Sequence, residues 1–458
     1  MYVVNSKPMR RGWLVFGLAT PLAVAFACGG GDNPPPLGST DDGGGDDRST
    51  SKDGQQPQSD GKAPLTTYND LTDSSKWSFF DFGTLYPTAD GAPLDAPSGF
   101  LGAIFDGKFV YYVPTGDKTF STLTSSAYDV VRFDISKPFD VASSFTKSDV
   151  GYLGVNVAFV GGAFDGRFVD FAPYQGSPFL RYDTSGPFQD ASAGWQAPAT
   201  STIANFGAAF GGGAVYYAPL ASDLFQRMDT QDGGIASFSL AGVDGGASVY
   251  EGASFDGKYV YFAPTGTTAA DSGAGGVVRV DTTKDFTSAV SWDLFDTHQV
   301  DANSGNFAGA VFDGRYIYFV PTTTGVGVPI AARFVRFDTQ GNFADPAAWT
   351  AFAPSASGSN GYHTAAFDGR FVYFLPFVET GTSLLLRYDT SGGAGAFTNS
   401  AAWQTFALDT FNPSATGFEG MGFDGEYIYF VPRYGHVAAR FDAKTPPSFP
   451  PGFTGSFL

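Results

Sequence analysis

An all-β fold of seven four-stranded antiparallel sheets set around one axis is what this sequence predicts, and three observations predict it. The 458 residues include 47 Phe, 22 Tyr and 60 Gly but only four Met. Aromatic residues with frequent Gly and Pro favour strands and tight turns over helices. Beyond the N-terminus no stretch keeps a helical apolar period for long. Finally, a segment of the form "AGAVFDGRYIYFVP", Ala308 to Pro321, recurs along the chain every 45 to 59 residues, a period that suits radially arranged sheets rather than a solenoid.

The copies begin at Phe100, Phe159, Phe206, Tyr250, Phe307, Tyr362 and Phe418. In each, a first apolar run (strand A) meets a second (strand B) through Asp-Gly. The aspartates are Asp106, Asp165, Asp256, Asp313, Asp368 and Asp424, with Gly211 in the third copy. Asp-Gly between apolar runs is the strongest short hairpin signal, with both turn residues expected at positive φ. Strand B is apolar at nearly every position, so both of its faces must be covered, and sheets stacked face to face around an axis supply that cover. Strand C ends in Arg-x-Asp: Arg132–Asp134, Arg181–Asp183, Arg227–Asp229, Arg279–Asp281, Arg336–Asp338, Arg387–Asp389 and Arg440–Asp442. Because i and i+2 share a strand face, the Arg and Asp of each motif are expected to pair. Strand D opens on an aromatic anchor: Phe145, Trp195, Phe238, Trp292, Trp349 and Trp403. Gly102, Gly252, Gly309 and Gly420, near the start of strand A, permit close approach at a crowded axis.

The seventh unit lacks an obvious strand D. "LTDSSKWSFF", Leu71 to Phe80, has the form of a strand D with no A, B or C before it, so the N-terminal segment is expected to complete the seventh sheet. The competing segment, Phe453 to Phe457, follows "PPSFPP", and prolines interrupt strand pairing. Residues 70–458 as a whole resemble the β-propeller superfamily. The repeat is similar to kelch repeats ("YIYF…RFDT…W") and to bacterial YVTN-type propellers ("FDGRYIYF…VRFDT"), with Val-Pro or Ala-Pro where kelch repeats carry Gly-Gly. The resemblance implies a seven-bladed propeller.

The N-terminus reads differently. Lys7, Arg10 and Arg11 precede an apolar run, Gly12 to Ala27, that contains Pro21 and ends in "AFAC" at Cys28, the one cysteine. The run is short for a membrane span. It resembles a bacterial lipoprotein signal. That resemblance implies removal of residues 1–27, lipidation of Cys28, and a lipid-anchored cell-envelope protein; Gly29 after the cysteine points to the outer membrane. Residues 28–69 then form a tether rich in Gly, Asp, Pro and Ser. With almost no apolar side chains it cannot repay the entropy of ordering, and it spans about 35 Å root-mean-square. No disulfide is possible within the chain.

The formal charge of −19 repels phosphate backbones, so nucleic acid is not an expected partner. Residues repeated in every blade hold the fold; function is expected where the blades differ. After the leading aromatic of strand A stand Leu101, Val160, Phe206 and Ala308 in four blades, but Glu251, His363 and Glu419 in the others. Blade 7 adds Arg433, Tyr434 and His436 after strand B, and blade 6 adds Glu379. These seven residues are the candidate ligand-binding set at the channel mouth. The expectation is a monomeric, non-catalytic module that binds a protein or polysaccharide. One alternative is a carbohydrate-active hydrolase or lyase using channel-mouth carboxylates, although Glu251 and Glu419 are expected to stand too far apart across the ring for one glycosidic bond. Another is a structural envelope lipoprotein. No cofactor or metal is expected: the three histidines share no ligand spacing, "DANSGN" from Asp301 lacks the terminal Glu of a calcium loop, and no phosphate-binding loop or nucleophile elbow occurs.

Overall fold

A computed structural model describes residues 65–86, 99–115, 129–151, 158–174, 176–220, 222–241, 249–266, 276–322, 333–356, 361–379, 381–450 and 453. Cys28 and nearly all of the tether lie outside them. The described residues form seven four-stranded antiparallel sheets, each running A-B-C-D in order. Blade 1 is typical: Phe100–Phe105, Phe109–Pro114, Asp129–Asp134 and Phe145–Asp149. Each strand A lies against the strand A of the next blade, and that of blade 7 lies against that of blade 1, so the ring is closed. Helix is confined, among the described residues, to one turn at Ala191–Gly194 and short 3-10 turns.

The axis is as crowded as the glycines foretell. A Cβ added at Gly420 would fall 2.3 Å from the backbone nitrogen of Gly102 in the neighbouring blade, and one at Gly252 would fall 2.8 Å from the Cα of Gly309. Strand B is buried along almost its whole length, filling the wedges between blades. Each Trp that opens a strand D is buried. Its indole N–H donates to a main-chain carbonyl six or seven residues earlier, as from Trp292 to Phe286 at 2.9 Å and from Trp403 to Phe397 at 3.0 Å. That bond satisfies the one polar atom of an otherwise apolar anchor.

The N-terminal segment closes the ring. Trp77–Asp81 pairs antiparallel with Val437–Asp442, with Trp77 opposite Phe441 and Asp81 opposite Val437. Thr67–Tyr68 pairs with Lys444–Thr445. Lys444 itself is buried and donates to the main-chain carbonyl of Asp368 in blade 6. Phe453, the one described residue of the competing segment, stacks on Phe449 at 4.7 Å and packs edge-on against Phe423.

Two local expectations are corrected. The A–B turn is centred one residue later than expected: Asp106 N–H donates to the Phe109 carbonyl, Gly107 has φ +96°, and Asp106 is not at positive φ. A single Gly at the first central position suffices for such a turn. The aspartate instead accepts from the main-chain N–H groups of Lys108 and Phe109 and, at 2.7 Å, from the Tyr111 hydroxyl. The same tyrosine–aspartate bond recurs in blades 4 to 7.

Nor do Arg and Asp of the Arg-x-Asp motif pair with each other. Cross-strand register places the Asp opposite the first residue of strand B and the Arg opposite the third, as Asp134 opposite Phe109 and Arg132 opposite Tyr111. In blades 2, 5 and 6 the Asp therefore meets the basic residue of the turn: Arg167, Arg315 and Arg370 reach Asp183, Asp338 and Asp389 at 2.6, 2.7 and 2.7 Å. Outside blade 3 the Arg lies over the first aromatic ring of strand B, 3.9 Å from the centroid for Arg279 on Tyr259 and 4.0 Å for Arg132 on Phe109. Neighbouring strands, rather than neighbours in sequence, set these partners.

Candidate functional site at the channel

In all seven blades the A–B ladder slips by one residue just after strand A begins. Phe100 lies opposite Pro114, for example, but Ala103 lies opposite Tyr112. The same bulge occurs in the other six. A bulge leaves one residue unpaired and re-aims its side chain, and in blades 1 to 4 the following glycine carries it at positive φ. The residue so turned is the variable position: Leu101, Val160, Phe206, Glu251, Ala308, His363 and Glu419.

These side chains meet around the axis. Leu101, Val160 and Phe206 form one buried apolar cluster, against which Tyr174 and Leu220 pack. The Phe206 ring also makes an edge contact with the His363 imidazole, centroids 5.4 Å apart. Blades 3 and 6 are not neighbours, so this contact crosses the channel, which the two facing side chains span at this level. One half of the tier is apolar and the other half is ionic.

The ionic half is built on His363, which is 6% exposed. Its Nε2 is 3.7 Å from Glu251 Oε2 and its Nδ1 is 3.3 Å from Glu419 Oε1. The other Glu419 oxygen accepts from the Arg433 guanidinium, which also lies 5.0 Å over the Tyr434 ring. Glu419 and Arg433 are both buried, and Glu251 is half-buried. Burial holds the His363 imidazole below its ordinary pKa, opposed by the charge of Glu419 and reinforced by Arg433. Burial, with Glu419 adding to it and Arg433 opposing, pushes the Glu251 carboxyl up to about 8. Tyr434 is pushed up to about 12 by burial and then by Glu419.

Five of the seven candidate residues thus come together: Glu251, His363, Glu419, Arg433 and Tyr434. The other two do not join them. His436 lies at the ring seam, its Nδ1 2.9 Å from Asp81 Oδ1 and its carbonyl accepting from Phe82 N–H. Glu379 is exposed and bears on the cluster through its charge, which raises the Tyr434 hydroxyl. The expected wide separation of Glu251 and Glu419 is also corrected: both touch the same imidazole, because the channel is narrow at the bulge. Sequence reasoning missed Phe206 and Phe377 as walls. Phe377 packs on His363 at 5.7 Å and on Tyr434 at 6.2 Å between centroids. The available signal was the residue after the strand-B proline, which is Phe377 in blade 6 and Arg433 in blade 7.

The arrangement holds charge in a desolvated place and leaves one carboxyl, that of Glu251, partly exposed. The imidazole fills the space between the two carboxylates that a glycosidic bond would need. Among the described residues no group of His, Cys, Asp or Glu could hold a metal ion; Asp301 of the "DANSGN" loop pairs with Arg333 at 3.1 Å.

The fold and the channel define the class: the chain is a seven-bladed β-propeller with a polar, blade-specific half to its channel. No protein-family model matches the sequence, and no curated relative matches it. Solved structures similar to it include YCF48 bound to D1 peptide (12% identity, covering 82% of this chain and 99% of that one, TM-score 0.48). The β-propeller domain of Cps50 (Swd1) from Myceliophteria thermophila is 12% identical over 76% of this chain and 96% of that one, with a TM-score of 0.49. The extracellular domain of the putative one-component system BT4673 from B. thetaiotaomicron is 10% identical, covers 80% of this chain and 39% of that one, and has a TM-score of 0.48. At these identities the likeness concerns fold alone.

Proposed function

We propose that this propeller is a non-catalytic binding module, held at the cell envelope by lipid on Cys28, that engages a protein or polysaccharide through the channel mouth. One observation carries the reading. At the bulge position, where three blades place interlocking apolar side chains, three others place Glu251, His363 and Glu419, and blade 7 adds Arg433. A buried ionic cluster is costly to assemble and gives the ring little net stability over apolar side chains of similar volume, so its presence in only part of the tier supports a recognition role. Support for the anchor comes from the first 28 residues and their resemblance to a lipoprotein signal; no helix among the described residues is long and apolar enough to cross a membrane. An outer-membrane, monomeric protein is the form proposed.

Two experiments test this. Labelled palmitate is expected to enter the wild-type protein and not Cys28→Ser, and equal labelling would remove the anchor. The chain from Gly29 onward is expected to retain a peptide or cell-wall glycan from a panel, and to lose it on substitution of both Glu419 and His363. Retention unchanged in that variant would remove the channel as the site.

A further inference from the structure

The geometry points to a lysine side chain of a protein partner as the group this channel receives, its ammonium on Glu251 and its methylene stem along the apolar half of the mouth. The inference rests on the binding-module reading above and names the chemistry of the ligand.

Charge is the first argument. The cluster holds two carboxylates and one guanidinium, and the guanidinium is hydrogen-bonded to Glu419. Among the described residues Glu251 has no Lys or Arg within ion-pairing distance; its nearest charged-group neighbour is the His363 Nε2 at 3.7 Å. The imidazole cannot serve as its cation, since burial favours the neutral ring. His363 Nδ1 is turned the other way, 3.3 Å from Glu419 Oε1, so the ring offers Glu251 only its Nε2 edge. A buried carboxylate wants an opposite charge with hydrogen-bond donors, and an ammonium supplies both.

Width is the second argument. Phe206 and His363 touch across the channel, and the Glu251 side chain is 18% exposed. The space above it therefore admits a slender chain end more readily than a sugar ring. The mouth suits such a stem: Leu220 and Tyr174 pack on the apolar cluster and are half-buried, and Phe377 and Tyr434 are half-buried on the opposite side. Lysine lays its stem along apolar surface while its head seeks charge, and aromatic rings near the ammonium add cation–π attraction.

Binding would carry a proton signature. His363, Glu419 and Arg433 face Glu251 directly or through one another, with Tyr434 and Glu379 beyond them. With its carboxyl raised to about 8, Glu251 must ionise to receive the ammonium. Affinity is then expected to rise about tenfold per pH unit between pH 6 and 8 and to level off above that.

The test uses the mature full-length chain and a capped tripeptide containing lysine, its Nζ-acetylated twin, and a chitosan trimer, titrated by calorimetry. The lysine peptide is expected to bind. Acetylation, or Glu251→Gln in the protein, is expected to weaken it by about 30-fold or more, and the proton dependence should vanish in the variant. The unfolding midpoint of Glu251→Gln shows that the variant is folded, and the pH dependence in wild type is an arm that needs no variant. Equal binding of the acetylated twin, pH-independent affinity, or tighter binding of the amino-sugar trimer would each overturn the inference. If a neutral peptide or glycan binds through Glu419 and His363 while the lysine peptide does not, this inference fails and the binding-module reading stands. If nothing binds up to about 10 mM, both fail.

Discussion

Glu419→Ala is expected to cost the propeller about 3–5 kcal/mol of stability. The Glu419 and Arg433 side chains are 1% and 7% exposed, so removing the carboxylate takes this counter-charge from a guanidinium that cannot shed its proton in a place water barely reaches. The Tyr434 ring, 5.0 Å away, already contacts that cation and offsets the loss by no more than about 2 kcal/mol. The comparison pair is Arg167–Asp183, which is tight at 2.6 Å but has its Arg side chain 66% exposed. There the exposed, solvent-screened pair is expected to contribute far less to the cost of Asp183→Ala. The double variant Glu419→Leu with Arg433→Met replaces the buried pair with apolar side chains and is expected to recover most of the loss. Urea unfolding of the single and double variants gives the cycle. A Glu419→Ala midpoint within about 0.5 kcal/mol of wild type, or single effects that simply add, would refute the view that this pair is desolvated and mutually dependent.

Trp77→Ala, which removes a ring stacked 5.1 Å from Phe406 and 5.0 Å from Phe441 together with the bond to the Leu71 carbonyl, should cost about 3–5 kcal/mol. It should also open the N-terminal strand to protease, and a protease-resistant variant would count against the seam. Restoring the consensus turn with Gly211→Asp should destabilise by about 1–3 kcal/mol, because a Cβ there would meet the Phe255 ring at 2.6 Å; a raised unfolding midpoint would contradict this. Stability should rise on acidification from pH 8 to pH 5. Burial first of all pushes Asp170 up to about 7 and Asp368 up to about 6, with Glu251 at about 8, so the folded chain binds more protons than the unfolded one across that window. His363, held below its ordinary value, works against the trend below about pH 6.5. For Asp389, burial is outweighed by hydrogen bonds from Arg370 and Ser391 and its carboxyl sits at about 2; that contribution is lost as the pH falls from about 4 toward 2. A midpoint that declines steadily from pH 8 to pH 5 would show the three raised carboxyls to be misjudged.

Much of the architecture was legible because it repeats. Seven copies of an apolar run, Asp-Gly and a second apolar run leave little freedom in strand order, and the unmatched "LTDSSKWSFF" identified its partner by what blade 7 lacked. What the sequence hid was set by register. Arg181 and Asp183 share a face, yet Arg181 pairs with Asp170 on strand B and Asp183 with Arg167 in the A–B turn, and the spacing of the motif carries no information about that pairing. The site was half legible for the same reason. Glu251, His363 and Glu419 stood out as exceptions at one repeat position. The bulge that turns them inward, and the narrowness that brings Phe206 onto His363 from across the ring, are properties of closure that no single repeat encodes. His436 stands apart from the cluster because its chain neighbour Val437 begins the seam strand, and its side chain lies against Asp81.

The seam has a consequence for biogenesis. About 360 residues separate Trp77 from its partner strand, so at ribosomal rates of about 5–20 residues per second the earliest strand waits roughly 20–70 seconds for its match. It is given a berth meanwhile: Phe80 stacks on Phe145 at 4.0 Å and Phe82 packs against Phe100, both from the first blade to emerge. One flank of the waiting strand is sheltered early, its Trp77 flank gains Phe406 only with the sixth blade, and its hydrogen-bonding edge stays bare until translation reaches Val437. A nascent chain stalled short of that point would display an open edge of the kind that invites aggregation, which makes the last blade the checkpoint for the whole ring.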